Sequence, residues 1–494
     1  MKRYIRTIFL FLLAVITVVL SVMLYRACDY FQSPQIQAFS LIPDNASLII
    51  KGKKTENLLA FHKENTRFLS LLFSPKQQKK IDYLFDKVLS MEKYRQIAKH
   101  TAVYLSLHSE TEEQWAVVLE TSQKYNAVLV DFIDSLRVDF EEKSFVYKNN
   151  NVYSLPVEHD FLYLNHQNGA LLMTFSENLM RQAINKFEQK KDTLLPSIRA
   201  VVAPNNENAK IYLYAQYQYF IPYFKNRIRK MDGDKTILDM LTACQWSVFE
   251  LKVKNKNILL SGYTSVDLSK NQSKLLTHKN NRLDFTTVLP YGANHIFSVK
   301  ADRASDWKNM KSIVQPNEDF FTLMYPTQIL TFDMEEDTTA FHYLLIKSEN
   351  ASEASFHLYN SLRSSFEDNQ YILDTFYIGS LLVGGIDLPN FVFTKLGISS
   401  QLTQLKYYTL VNNCFVFTDS KEGILACIKQ LRANKTWHKS AAYQASQPYF
   451  THKANVFYCC NFLSNKEKEA DFRLLRMQLY AQSDAILLMD ILLE

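Results

Sequence analysis

The chain has 494 residues, 56 Lys and Arg against 50 Asp and Glu, and a net charge of +6. That length supports two or three domains with cores of their own, and the 28 Tyr and 34 Phe exclude a disordered chain. The small positive charge is spread along the sequence, which excludes a nucleic-acid footprint.

The chain opens on Lys2, Arg3 and Arg6, followed by the uncharged run Thr7 to Tyr25. As a helix at 1.5 Å per residue that run measures about 28 Å, close to the hydrocarbon core of a bilayer. It predicts a cytoplasmic tail (1–6), one transmembrane helix (7–25) and a tether (26–37), with the bulk of the chain periplasmic, by the positive-inside rule. A cleaved signal peptide fits less well, because the run is long and ends in Tyr25-Arg26 without a small-x-small site. A lipoprotein at Cys28 also fits less well, because Arg26 spoils the tripeptide before it.

Beyond the tether the sequence repeats itself. Ile42-Pro43-Asp44-Asn45-Ala46 is echoed by Leu289-Pro290-Tyr291-Gly292-Ala293, each before an apolar strand. The stretch 134–142 matches 360–368, sharing Ser135-Leu136-Arg137 with Ser361-Leu362-Arg363. Leu171 to Ser176 matches Phe415 to Ser420, and Ala209 to Leu213 matches Ala454 to Tyr458. The offsets are 247, 226, 244 and 245, in the same order along the chain.

The fold class expected is α+β: two tandem related units, 38–281 and 282–494, with mainly antiparallel sheets and packed helices behind the membrane helix. In the first unit, Ile81, Leu84, Phe85, Val88 and Leu89 form a helical stripe. Strands follow at Thr101 to Leu107 and Trp115 to Thr121, then a helix at Tyr125 to Val138. Asn168-Gly169 is a hairpin signal, and Ser176 and Ser420 read as helix N-caps. The second unit is expected to stop one strand short, with Asp484 to Glu494 aligned with Ser247 to Asn257. That alignment predicts an open sheet edge at the C-terminus, available to a partner.

The insertion Asp374 to Leu402 is apolar and holds the glycines Gly379, Gly384, Gly385 and Gly397. Tyr377, Leu381, Leu382, Val383, Gly384, Gly385, Leu388, Pro389 and Phe391 are its candidate partner-binding residues. A hairpin packed on its own unit is the alternative.

The signatures of common catalysts are absent from the sequence: no G-x-S-x-G, H-E-x-x-H, Walker A or G-x-G-x-x-G occurs. The eleven histidines are scattered, and Glu158-His159-Asp160 with His166 reads as a polar loop rather than a metal site. Glu335-Glu336-Asp337 reads as a turn between strands. The six cysteines, Cys28, Cys244, Cys414, Cys427, Cys459 and Cys460, lack disulfide or metal spacing. No cofactor, metal or enzymatic activity is expected.

The basic start, the apolar run, the Ile42-Pro43-x-x-Ala46 opening and the repeated units resemble a bacterial envelope family of unknown function. The resemblance implies a membrane-anchored protein exposed to the periplasm and supplies no catalytic residues. The expected function is that of an extracytoplasmic binding or scaffold protein, with a periplasmic chaperone or assembly factor, or an unrecognised hydrolase, as alternatives.

Overall fold

A computed structural model describes residues 15–25, 34, 36–109, 113–140, 143–189, 198, 201, 209–227, 235–254, 257–270, 276, 281–282, 285–300, 324–336, 339–369, 375–385, 405–451, 453–461, 474–483 and 485–494. The packing divides the chain into two compact units, 1–199 with 208–215, and 200–207 with 216–494.

The first unit opens with β1 (Ala46–Gly52), then four helices: α1 (Thr55–Glu64), α2 (Thr66–Leu72), α3 (Pro75–Tyr83) and α4 (Glu92–Ala98). Next come β2 (Thr101–Ser109), β3 (Glu113–Thr121) and α5 (Asn126–Asp139). A meander of β4 (Lys143–Tyr147), β5 (Asn150–Val157), β6 (Asp160–Gln167) and β7 (Ala170–Thr174) leads to α6 (Glu177–Glu188) and β8 (Ile211–Gln216). The strands lie in the order β8-β1-β2-β3-β7-β6-β5-β4, every pair antiparallel.

Local sequence explains these elements. The stripe Ile81, Leu84, Phe85, Val88 and Leu89 is buried throughout, and its second half winds as a π-type turn over Leu84–Val88. Ser176 accepts a hydrogen bond from the Leu179 N–H and so caps α6. The turn at Asn168-Gly169, with Gly169 at φ 86°, joins Gln167 to Ala170 across β6 and β7. Strands β1 and β7 are buried along nearly their whole length. They read as continuous apolar runs because both their faces are covered.

The second unit begins with α7 (Tyr217–Arg227) and α8 (Lys235–Leu241), then the hairpin β9 (Cys244–Lys254) and β10 (Asn257–Val266). After the short β11 (Asn281–Arg282) come β12 (Ala293–Lys300), β13 (Pro326–Glu336), β14 (Thr339–Ser348) and α9 (Ala351–Asn369). A second meander runs through β15 (Thr375–Ile378), β16 (Leu381–Gly385), β17 (Tyr407–Val411) and β18 (Cys414–Thr418) into α10 (Lys421–Arg432). The chain ends with α11 (Ala441–Ser446), the short β19 (Lys453–Ala454), β20 (Val456–Asn461), β21 (Leu474–Ala481) and β22 (Ile486–Leu493). The antiparallel order is β9-β10-β22-β21-β20-β12-β13-β14-β18-β17-β16-β15, and β11 pairs with β19 apart from it.

The sequence repeat is therefore a topological one. The series β8-β1-β2-β3-β7-β6-β5-β4 recurs as β20-β12-β13-β14-β18-β17-β16-β15, with α5 and α6 answered by α9 and α10. Ser420 caps α10 through the Gly423 N–H, as Ser176 caps α6.

Three expectations are corrected. First, the fold is largely sheet rather than α+β: twenty-two strands among the described residues, antiparallel in every pairing described, outweigh the helices. Of the run Thr7 to Tyr25 the described part, residues 15–25, is helical with exposed side chains. No helix among the described residues is long and apolar enough to cross a membrane. Second, the C-terminal strand is not an open edge. β22 is hydrogen-bonded on both sides, Leu493 facing Leu475 on β21 and Ile258 on β10. The counterpart of β9 is β21, and that of β10 is β22, so both closing strands are present in the second repeat. Third, the segment 375–385 is no insertion: β15 and β16 answer β4 and β5. The extra length lies in 386–404, outside the described residues, and Leu388, Pro389 and Phe391 lie with it.

Gly262 allows β10 to lie where it does. A Cβ added there would stand 1.9 Å from the Val248 carbonyl oxygen, inside the β9 backbone. At Gly292 the nearest atom to such a Cβ is 3.4 Å away. Gly262→Ala is expected to lower stability by about 2 kcal/mol or more, and Gly292→Ala by less than about 0.5 kcal/mol, in paired urea melts. Equal effects would show that the Gly262 contact does not constrain the sheet.

Candidate functional site

One row of side chains crosses the second unit from strand to strand. Ile296 on β12 faces Cys459 on β20, so the next pair outward brings His295 beside Cys460. Asp333 on β13 faces His342 on β14. Tyr343 faces Thr418 on β18, which sets His342 beside Asp419 at the strand's end. Directly opposed residues in an antiparallel pair share a face. The row thus reads Cys460, His295, Asp333, His342, Asp419, with one irregular step: the register sets Asn294 against Asp333, and His295 follows it inside the bulge. The opposite face of β13 and β14 carries Leu330, Phe332, Met334, Phe341 and Tyr343 into the main core.

The geometry is close. Cys460 Sγ lies 3.4 Å from Nδ1 of His295 and 3.8 Å from its Nε2. His342 Nδ1 lies 2.7 Å from Asp333 Oδ1, the imidazole N–H donating to the carboxylate. His295 sits where β12 and β13 lose register, between Asn294 and Phe297, with φ 46°. A β-branched or bulky side chain seldom adopts that left-handed conformation, and a bulge of this kind re-aims a side chain. Cys460 is fully buried, whereas Asp333 and His342 keep 28% and 25% of their side-chain surface. The row therefore runs from a covered sulfur to a carboxylate–imidazole pair in contact with solvent.

The two imidazoles are driven in opposite directions. Burial pushes His295 below the ordinary histidine range, against the pull of the Asp333 and Glu335 carboxylates. The hydrogen bond to Asp333 holds His342 above it, with Asp419 adding to the effect and burial opposing it. Burial thus favours the neutral form of the imidazole beside the thiol, and the carboxylate favours the cationic form of the other.

The first repeat supplies an internal comparison. The same positions there are Ala215, Leu48, Leu107, Trp115 and Phe175, aligned by the pairings of β1, β2, β3 and β8. The first four are buried, and Trp115 packs on Phe175 at 5.6 Å while donating its indole N–H to Gln77 on α3. One copy of the fold fills this row with hydrocarbon and aromatic rings. The other fills it with a thiol, two imidazoles and two carboxylates. Sequence reasoning missed the row because its members are up to 165 positions apart and each looks isolated. Superposing the two repeats residue by residue is the signal that finds them.

The residues singled out from sequence fall elsewhere. Tyr377 is 73% and Leu382 46% exposed on the hairpin β15–β16, while Val383 is buried. Gly379 turns that hairpin at φ 62°, against the Arg432 guanidinium. Leu381 packs on the main core, and Gly384 lies against the Tyr408 ring. Beside the hairpin a groove of about 540 Å³ is lined by Ile378, Leu425 and the ion pair Glu336–Lys429 among others. Glu158 and His159 form the turn between β5 and β6, and His166 bonds Asn126 at 3.2 Å. No disulfide joins the described cysteines, all five buried. Among the described residues no three His, Cys, Asp or Glu side chains are placed to hold a metal ion.

The charge on His342 has a measurable consequence. Its folded-state value is raised above 6.5, so the stabilisation is complete below about pH 6 and is lost as pH rises through the raised value. The groups facing it are Asp333, Asp419 and, across Asp333, His295. Thermal melts of wild type and His342→Asn are expected to differ more at about pH 6 than at about pH 9. A deficit independent of pH would mean that the pair stays uncharged.

No known protein family matches the chain, and no curated protein does. Its fold is similar at low level to crystal form I of TP0453, with 12% identity, a TM-score of 0.27, and coverage of 48% of this chain and 81% of that one. Crystal form III of TP0453 gives 12% identity, a TM-score of 0.25, and coverage of 48% and 82%.

Proposed function

We propose that this chain is an extracytoplasmic binding protein, attached to a membrane through its apolar N-terminal run, whose second unit makes the ligand contacts. The observation that carries the reading is the contrast between the two rows. A duplicated fold needs the same row filled in both copies, and apolar residues fill it at least cost. The polar row of the second repeat opens toward solvent at its Asp333–His342 end, as a recognition site would. The exposed Tyr377 and Leu382 on the neighbouring meander supply apolar contact area of the kind found at partner-binding surfaces. The basic cluster Lys2, Arg3 and Arg6 ahead of the run supports delivery of the bulk of the chain across the membrane.

A photo-crosslinking residue placed at Asp419, the outer end of the row, tests the reading against one placed at its counterpart Phe175. In native membranes, a discrete adduct from position 419 that position 175 does not give is the expected result. It should fade when His295, Asp333 and His342 are exchanged for the first repeat's Leu, Leu and Trp. Lipid adducts alone, or equal adducts from both positions, would remove the second unit from its assigned role.

A further inference from the structure

We propose that Cys460 is a thiol activated by His295, and that it reacts with small hydroperoxides to form a sulfenic acid. Three features carry this, and none depends on the binding role above. The sulfur touches an imidazole, and the Asp333 carboxylate, held by a second imidazole, favours the charged form of the first. A nucleophile in contact with a base, and a carboxylate that favours the base's cation, are what thiol activation requires. The base is delivered by a bulge with a left-handed residue at the one position where β12 departs from regular pairing. The twin row in the first repeat, with Ala215 and Leu48 at the two key positions, shows that packing alone does not ask for a thiol and an imidazole here.

The step is balanced as follows. The thiol proton passes to His295. The thiolate attacks the outer oxygen of the peroxide, an S–O bond forms and the O–O bond breaks. The leaving alkoxide or hydroxide takes the proton back from the imidazolium. Sulfur is oxidised by two electrons, and the peroxide is reduced to an alcohol or water. A reactant of this size needs only local opening at the irregular end of β12, on the side where His295, Asp333 and His342 are half-buried.

The other cysteines are built-in controls. Cys427 and Cys459 are buried, and burial pushes both thiols up to about 12. Cys459 neighbours Cys460 in sequence but faces the other side of the sheet.

The full chain would be pulsed with hydrogen peroxide, trapped with a dimedone probe and mapped by peptide mass spectrometry. Cys460 is expected to label at least about tenfold faster than Cys427 or Cys459, the scale of a modest general-base contribution. His295→Leu, which installs the first repeat's residue, should remove that advantage, and His295→Gln should do the same while keeping a polar side chain. Circular dichroism and melting confirm that each variant is folded. Asp333→Asn is expected to give an intermediate rate, as for a positioning residue. Labelling of Cys460 no faster than Cys427 in the folded wild type would overturn the proposal, and so would an unchanged rate in a folded His295 variant.

Discussion

Cross-strand register decides which side chains meet in the second unit. Between β12, β13 and β14 every residue is assigned a face by the pairing, and a slip of one position would exchange the faces. What holds the register is the apolar set Leu330, Phe332, Met334, Phe341, Tyr343 and Leu345, all buried in one core. Phe332 and Tyr343 stack with centroids 4.6 Å apart at an interplanar angle of 2°. Slipping the strands would carry those rings out of the core, at about 1.5–3 kcal/mol for each large side chain. The core on one face thereby fixes Asp333 against His342 on the other, without any help from the polar pair. The bulge at His295 is the local exception, and it lies where the row needs a side chain turned toward Cys460.

Duplication explains how such a row is tolerated. Half-buried carboxylates and imidazoles cost stability unless they satisfy one another. Here each polar group has a neighbour of complementary kind along the row. The rest of the load is carried by elements that both repeats keep: the capped helices α6 and α10, the meanders, and the closing hairpins. Those hairpins also solve an edge problem. β10 from the first repeat and β22 from the second pair with each other within one compact unit, so neither presents an unpaired ladder. Gly262 lets β10 approach β9 closely enough for that arrangement.

Much of the repeat is legible in the sequence, because it is marked by local chemistry. The Pro turns at Pro43 and Pro290, the cap serines Ser176 and Ser420, and the Asn168-Gly169 turn act over a few residues and read directly. Strands buried on both faces do not. β13 and β14 give runs such as Ile329-Leu330-Thr331-Phe332 and Phe341 to Ile346, in which alternation is weak. The C-terminal runs of Leu and Ile are interchangeable by pattern, so aligning β22 with β9 rather than β10 costs nothing at the level of sequence. The row Cys460, His295, Asp333, His342 and Asp419 is illegible for a different reason. Its spacing is set by strand order, β20-β12-β13-β14-β18, which no local signal encodes.

The entrance to the first unit shows the opposite use of buried charge. The Ala38 N–H donates to Glu120 at 2.5 Å, and Lys186 on α6 donates to the Phe39 and Ile42 carbonyls at 2.9 and 2.7 Å and pairs with Asp44 at 2.8 Å. Phe39 meets Tyr104 and Tyr214 edge-on at 5.6 and 5.3 Å. In the second repeat the matching positions are Lys347 and Gln430, and the Gln430 side-chain oxygen accepts from the exposed Gly292 N–H there. A neutral amide suffices where the chain merely passes from one repeat to the next. Two opposite charges grip residues 38–44, and removing either would leave its partners desolvated. If the N-terminal run is held in a membrane, any pull on the chain reaches the fold at this point first. The clamp is therefore placed where an attached protein needs its firmest local anchorage, and the reactive chemistry is kept in the repeat farther along the chain.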